Sequence, residues 1–152
     1  MKISTREDIN APIADVYAAV SDFPRIERRL IARGVTLERD SDAPRSGVGR
    51  KWLAEASWRG RSHRIEAQLT EVTEGQGYVV QSTSGGVVGV TVVDLVALSK
   101  TRTRMLMSID LRPTTLSSRL LVQSLRLAKG RLTSRLKARL SEFGRRVEAG
   151  RG

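Results

Sequence analysis

Hydrophobic and polar residues alternate over the first nine positions of the chain, as in a β-strand with one buried face. Apolar residues then recur three and four positions apart in two short stretches, which is a helical pattern. Pro12 suits the first turn of one helix, and Pro24 separates the two because the residue before a proline avoids the helical conformation. The pattern therefore predicts a strand over residues 2–9 and helices over residues 13–20 and 24–32.

Six further runs have the composition of strands, and glycine or polar residues lie between most of them. They cover residues 35–39, 50–58, 61–72, 78–84, 87–98 and 102–112. Pro113 ends the last run, and helical spacing of apolar residues then continues almost to the end of the chain, with a bend predicted at Gly130. Strands followed by one long helix predict an antiparallel sheet with that helix on one face.

The dipeptide Arg59-Gly60 predicts a two-residue hairpin turn, and such a turn determines the register of the strands on either side. In that register Ala56 pairs with His63, and one face of the hairpin is apolar while the other is mostly polar. The apolar face is therefore predicted to point inwards. It carries Trp52, Ala54, Ala56, Trp58, His63, Ile65, Ala67 and Leu69.

Small residues beside large ones on this inward face indicate a cavity. Alanines leave room next to tryptophans, methionines of the last strand adapt to varied shapes, and aromatic rings could stack on a planar ligand. Alternatively, leucines of the long helix fill the space as an ordinary core. The predicted ligand contacts are Trp52, Ala54, Ala56, Trp58, His63, Ile65, Ala67, Tyr78, Met105, Met107, Leu121 and Leu125.

Positive charge is concentrated in the C-terminal part of the chain. The net charge is +11, and residues 112–152, with 11 Lys/Arg and 2 Asp/Glu, account for +9 of it. A basic stripe lies beside the apolar face of the predicted helix and consists of Arg131, Arg135, Arg139 and Arg146. Such a stripe fits an anionic membrane surface, an acidic ligand or nucleic acid, or is an ordinary solvated face.

Few residues of the chain offer catalytic chemistry. There is no cysteine, one histidine and no carboxylate cluster at ligand spacing, so neither a metal site nor a cofactor is predicted. His63 is the one catalytic candidate, as a general acid or base, and it could equally contact a ligand carbonyl or have a structural role. No transmembrane stretch or secretory signal is visible, which predicts a cytoplasmic protein, with or without peripheral attachment to a membrane.

Several short stretches occur at characteristic places in this order of elements. They are Ile9-Asn10-Ala11-Pro12 with Phe23-Pro24, Gly47-Val48-Gly49-Arg50, Thr101-Arg102-Thr103 and Leu111-Arg112-Pro113. In these the chain resembles the START-like, or SRPBCC, superfamily of polyketide cyclases, coenzyme Q-binding proteins, pollen allergens and lipid-transfer domains. The resemblance implies an α+β helix-grip fold over residues 1–152 as a single domain. About seven curved antiparallel strands would wrap around a long C-terminal helix, with two short helices after the first strand.

These motifs are structural and do not determine an activity. Binding or transport of a hydrophobic small molecule or lipid, in a cavity between the sheet and the C-terminal helix, is favoured. A polyketide-cyclase-like enzyme is the alternative, although His63 and Tyr78 alone would supply polar groups to the cavity. Association of the Arg-rich helix with RNA, the ribosome or an anionic membrane is a third possible function.

Residues 87–98 are apolar on both faces, which indicates a covered outer face, as in a homodimer.

Overall fold

The computed structural model describes residues 1–39, 47–58 and 60–150, without the side chains of Arg39 and Trp58. The predicted order of strands and helices is confirmed. The elements are β1 (Lys2–Ile9), α1 (Ile13–Val20), α2 (Phe23–Ala32), β2 (Thr36–Arg39), β3 (Lys51–Trp58), β4 (Arg61–Thr73), β5 (Gly77–Ser84), β6 (Val87–Ser99), β7 (Arg102–Pro113), α3 (Leu116–Leu127) and α4 (Lys129–Glu148).

All seven strands form one antiparallel sheet in the order β1-β7-β6-β5-β4-β3-β2, so β1 and β2 are its edges. The predicted register of the β3–β4 hairpin is confirmed, since Ala56 pairs with His63 and Ala54 with Ile65. The pairing of β4 with β5 shifts between Leu69 and Glu71. An irregularity of this kind bends a strand and increases its twist, which helps the sheet to curve around the helices.

Side-chain caps determine where the helices begin. The Asp22 carboxylate accepts a hydrogen bond from the backbone N–H of Arg25, and Pro24 occupies the first turn of α2. At α3 the Thr115 hydroxyl accepts from the Ser118 N–H at 3.1 Å, while the Ser118 hydroxyl accepts from the Thr115 N–H at 2.9 Å. This reciprocal pair satisfies backbone donors that the first helical turn leaves without partners.

The hydrophobic core lies between the helices and the face of the sheet that we call the inner face. Its buried members are Ile9, Ala11, Val16, Val20, Leu69, Tyr78, Val93, Leu95, Met105, Leu140 and Val147. The C-terminal half of α4 packs on β1, where Gly144 allows close approach. A Cβ at Gly144 would lie 3.2 Å from Cγ1 of Ile9.

None of the described helices is both long and apolar enough to cross a bilayer.

The C-terminal helix is divided at Ala128, two residues before the bend predicted at Gly130. Ala128 leaves the helical region with φ −99° and ψ 9°, ending α3 and preceding α4. Of two adjacent residues on α3, Val122 is buried, whereas Leu121 is 43% exposed. The other large apolar residues that helical spacing predicts on the inward face are half buried or buried, namely Leu125, Leu132, Leu136, Leu140, Phe143 and Val147.

We expect Gly144→Leu to lower the free energy of unfolding by about 1–3 kcal/mol, because the new side chain overpacks the contact of α4 with Ile9. The control Gly130→Ala faces open space and should raise it by about 0.4–1 kcal/mol. Urea denaturation followed by circular dichroism measures both. An unchanged Gly144→Leu protein would contradict the close packing of α4 on β1.

Candidate ligand-binding site

An apolar cavity of about 360 Å³ lies between α2 and the inner face of the sheet. This volume is within the range of small-molecule sites in proteins. Helix α2 contributes Phe23, Ile26, Glu27 and Leu30, and Val35 and Leu37 follow it along the chain. The sheet contributes Trp52, Ala54, Ala56, Ile65, Ala67, Tyr78, Val80, Thr91, Val93 and Met107.

The space exists because alanines occupy the inner face opposite α2. Ala54 and Ala56 are on β3, and Ala67 faces Trp52 across the β3–β4 pair. Larger side chains at these positions would extend towards Ile26 and Leu30 of the helix, which line the other side of the cavity. Alternation along β3 and β4 puts all three alanines on the same face.

Seven of the predicted ligand contacts lie on the cavity wall, namely Trp52, Ala54, Ala56, Ile65, Ala67, Tyr78 and Met107. Four others are not among the described lining residues. His63 is half buried beside Ala56, Met105 is buried in the core, and Leu121 and Leu125 lie on α3. The side chain of Trp58 lies outside the described part of the chain.

The sequence predicted that the C-terminal helix would cover the cavity, but α2 covers it instead. No described residue of α3 or α4 lines it. The reason is the packing of α4, whose Leu140, Gly144 and Val147 are buried, with Gly144 against Ile9 at the β1 edge of the sheet. With α4 at one edge, the amphipathic α2 covers the alanine-rich strands nearer the other edge.

A buried ion pair connects α2 to β3 at the cavity wall. Arg50 donates from Nη2 to Oε1 of Glu27 at 2.7 Å, and their side chains are 4% and 12% exposed. The indole N–H of Trp52 donates to the same oxygen at 2.7 Å. Hydrogen bonds to a carboxylate are stronger than those between neutral groups. The contact therefore holds the helix to the strand through three side chains.

Aromatic rings surround the Arg50 guanidinium. Its central carbon lies 5.6 Å from the ring centre of Phe23 and 5.4 Å from that of Trp52, within the range of cation–π attraction. Phe23 also contacts Trp52 and Tyr78, with ring centres 5.4 Å and 5.2 Å away. Arginine and three aromatic rings thus form one packed cluster beside the cavity.

Tyr78 presents its ring, and not a reactive hydroxyl, to the cavity. Its phenol donates to the backbone carbonyl of Val20 at 2.7 Å. Burial raises the pKa of Tyr78 far above its ordinary value, with a smaller contribution from Tyr17. The hydroxyl is therefore neutral at ordinary pH and already used in holding β5 to α1.

The predicted basic stripe has two kinds of member. Arg131, Arg135 and Arg139 are exposed on α4, and Arg139 lies 3.8 Å from the carboxylate of Glu142. Arg146 is half buried. Burial lowers the pKa of Arg29 on α2, and the nearby positive charge of Arg146 lowers it further. The last arginine therefore faces α2, while the first three face solvent.

Sequence reasoning missed Glu27 and Arg50. A signal for Glu27 was present: Phe23, Ile26, Glu27 and Leu30 share one helical face, so a carboxylate falls among apolar residues. Its partner, 23 residues further on, has no such pattern.

Among the described residues no group of three His, Cys, Asp or Glu side chains could hold a metal ion.

Comparison with solved structures identifies the fold. Norcoclaurine synthase of Thalictrum flavum aligns with a TM-score of 0.73 at 17% identity, over 100% of this chain and 96% of that one. A Thermus thermophilus protein aligns at 0.71 and 18% over all of both chains. An aromatase/cyclase from a Streptomyces species aligns at 0.68 and 15%, over 100% and 98%. No protein-family model matches the sequence, and comparison with curated proteins finds no match.

The chain therefore has a helix-grip fold like that of these structures, and the resemblance inferred from the sequence is confirmed at the level of the fold. A second norcoclaurine synthase structure is a complex with dopamine and hydroxybenzaldehyde. Fold alone does not transfer an activity. The function of this chain must therefore be argued from its own cavity.

We expect Arg50→Met to lower the free energy of unfolding by about 3–5 kcal/mol, because it removes the charge that compensates the buried Glu27 carboxylate. The double variant Glu27→Leu/Arg50→Met removes both charges and should recover much of this loss. Urea denaturation of both proteins measures the difference. A double variant as unstable as the single one would show that the ion pair is not what holds α2 to β3.

Proposed function

We propose that the protein binds a hydrophobic small molecule in the cavity between α2 and the sheet. The observation that supports this is the cavity itself, which has a volume of about 360 Å³ and a mostly apolar wall. Removing a ligand's apolar surface from water would supply most of the affinity, at about 0.8 kcal/mol for each buried CH₂ group. A lipid chain or a compact ring system would both gain in this way.

The wall favours a neutral ligand with a planar part. Glu27 and Arg50 compensate each other's charge, so their pair does not select an ion of either sign. Phe23, Trp52 and Tyr78 contribute ring faces and edges to the same wall. Aromatic pairs gain about 0.5–1.5 kcal/mol beyond their burial. The aromatic compounds in the norcoclaurine synthase complex are consistent with this chemistry in a protein of the same fold.

Binding is favoured over a cyclase-like reaction because the carboxylate, indole and phenol groups of the wall form hydrogen bonds within the protein. Oε1 of Glu27 accepts two hydrogen bonds, and the Tyr78 hydroxyl donates to a backbone carbonyl. General acid–base catalysis needs a group within hydrogen-bond reach of the reacting proton. The structural similarity to an aromatase/cyclase keeps the enzyme as the alternative. Conversion of a bound poly-ketone by the purified protein would establish it.

The exposed Arg131, Arg135 and Arg139 are the part of the basic stripe that we propose for contact with an anionic surface. Arg146 is left out of this surface because it is half buried near Arg29. Exposed arginines are attracted to anionic lipid and to nucleic acid alike. A homodimer through the outer face of β6 also remains a prediction.

We expect Ala54→Phe to weaken binding of the neutral fluorescent probe N-phenylnaphthylamine by about tenfold or more, because the added ring occupies the cavity. The matched control is Glu55→Phe, which puts the same ring on the opposite, exposed face of β3 and should bind the probe as the original protein does. Fluorescence titration gives both affinities, and mass spectrometry of organic extracts identifies any co-purified ligand. Equal affinities for the two variants would contradict the proposed site.

His63→Ala tests whether the histidine acts on the ligand or on the fold. Because His63 is beside Ala56 on the inner face, we expect the variant to fold normally and to bind the probe a few-fold more weakly. Thermal melting of the ligand-free protein provides the comparison. A large loss of thermal stability would instead give His63 a structural role.

A further inference from the structure

Helix α3 exposes a row of leucines to solvent. Leu127, Leu116 and Leu120 are 92%, 75% and 61% exposed, which makes them the three most exposed large hydrophobic residues of the described chain. They are four and seven residues apart, so at about 100° per residue they lie within roughly 40° of one another around the helix. We call Leu116, Leu120 and Leu127 the leucine stripe.

The leucine stripe points outwards because α3 packs through its opposite side. Ser118 and Val122 are its buried residues, and Ser118 is held by the cap at Thr115. One serine and one valine buried on the inner side, with three leucines exposed on the outer side, depart from the pattern of an ordinary surface helix. Clustered apolar exposure of this kind marks a surface that meets a partner.

The sequence around the leucine stripe carries only positive charge. Between Asp110 and Glu142 the sequence has 8 Lys/Arg and no acidic residue. Arg119 and Arg126 are exposed on α3, both on the same flank of the leucine stripe by helical geometry. Lys129 and Arg131, also exposed, follow at the beginning of α4. Any partner of this surface must therefore accept apolar side chains and be negatively charged.

An anionic lipid bilayer meets both requirements. Leucines can enter the boundary between headgroups and acyl chains, while neighbouring arginines contact lipid phosphates. A second copy of this chain would bring the same arginines face to face around a two-fold axis, which like charges oppose. Nucleic acid would attract the arginines, but its phosphate backbone would leave the leucines without an apolar partner. We propose that the leucine stripe, with Arg119 and Arg126, docks the protein on anionic membranes.

The position of α3 relates this docking surface to the cavity. Thr114, just before α3, donates from its hydroxyl to the carbonyl of Gly86 at 2.6 Å, so the helix begins at the β5–β6 turn. The β3–β4 hairpin is at the same end of the sheet, and Ala56 of the cavity wall is close to that hairpin. Docking through α3 would thus bring this end of the cavity towards the lipid. That consequence rests on the proposed ligand site, whereas docking itself does not.

The test compares sedimentation of the protein with vesicles of phosphatidylcholine alone and of phosphatidylcholine mixed equally with phosphatidylglycerol. The original protein should bind the mixed vesicles more tightly. Replacing all three stripe leucines with Gln should weaken that binding by about tenfold or more, since the apolar contact is lost. Arg119→Gln/Arg126→Gln should weaken it by about fivefold for each charge. The control Val96→Gln/Leu98→Gln removes exposed apolar residues from β6 and should bind as the original does.

Several results would overturn the proposal. One is unchanged vesicle binding by the triple-Gln variant. Another is a loss of vesicle binding in the Val96→Gln/Leu98→Gln control that equals the loss in the triple-Gln variant. Tighter binding to polyuridylate RNA than to the mixed vesicles at equal salt, unaffected by the leucine changes, would indicate nucleic acid instead. A dimer in sedimentation that the triple-Gln variant dissociates, without vesicle binding, would indicate a second copy. Probe binding in solution should be the same in all these variants. A failure of the docking proposal can therefore be distinguished from a failure of the proposed ligand site.

Discussion

The ion pair between Glu27 and Arg50 is the interaction on which the site depends. It joins the helix that covers the cavity to the strand that begins its wall, and Trp52 donates to the same carboxylate oxygen. A buried ion pair contributes little net stability compared with apolar packing, yet losing one partner is costly. Its effect here is positional: α2 stays at one height above β3, and the space over the alanines remains open.

Side-chain size then determines what that space can hold. Ala54, Ala56 and Ala67 leave a volume that the neighbouring aromatic cluster bounds on one side. Protein interiors are normally packed without voids, so small residues gathered on one inner face, opposite a helix held in place, indicate a site for another molecule. Oε1 of Glu27, the Trp52 indole and the Tyr78 hydroxyl form hydrogen bonds within the protein, which leaves shape and apolar contact as the main basis for recognition.

The two C-terminal helices, which meet at Ala128, have separate roles. Helix α4 uses Leu140, Gly144 and Val147 to complete the core at β1, while α3 buries only Ser118 and Val122. The same sequence thus supplies a structural helix and a helix whose leucines face outwards. An excess of positive charge is shared by both, since α3 has Arg119 and Arg126 without an acidic residue and α4 has seven Lys/Arg against Glu142 and Glu148.

The sequence by itself determined the order of elements, the register of β3 with β4 and which face of that hairpin is apolar. These follow from local rules, since alternation and turn length act over a few residues. Tertiary structure alone decided that α2, and not the C-terminal helix, covers the alanines, and that Glu27 meets Arg50. Periodicity identifies the apolar face of an element but not the neighbour it contacts. For the same reason the apolar row predicted along the C-terminal helix was only partly right: it is half buried or buried from Leu125 to Val147, whereas Leu121 at its start is exposed.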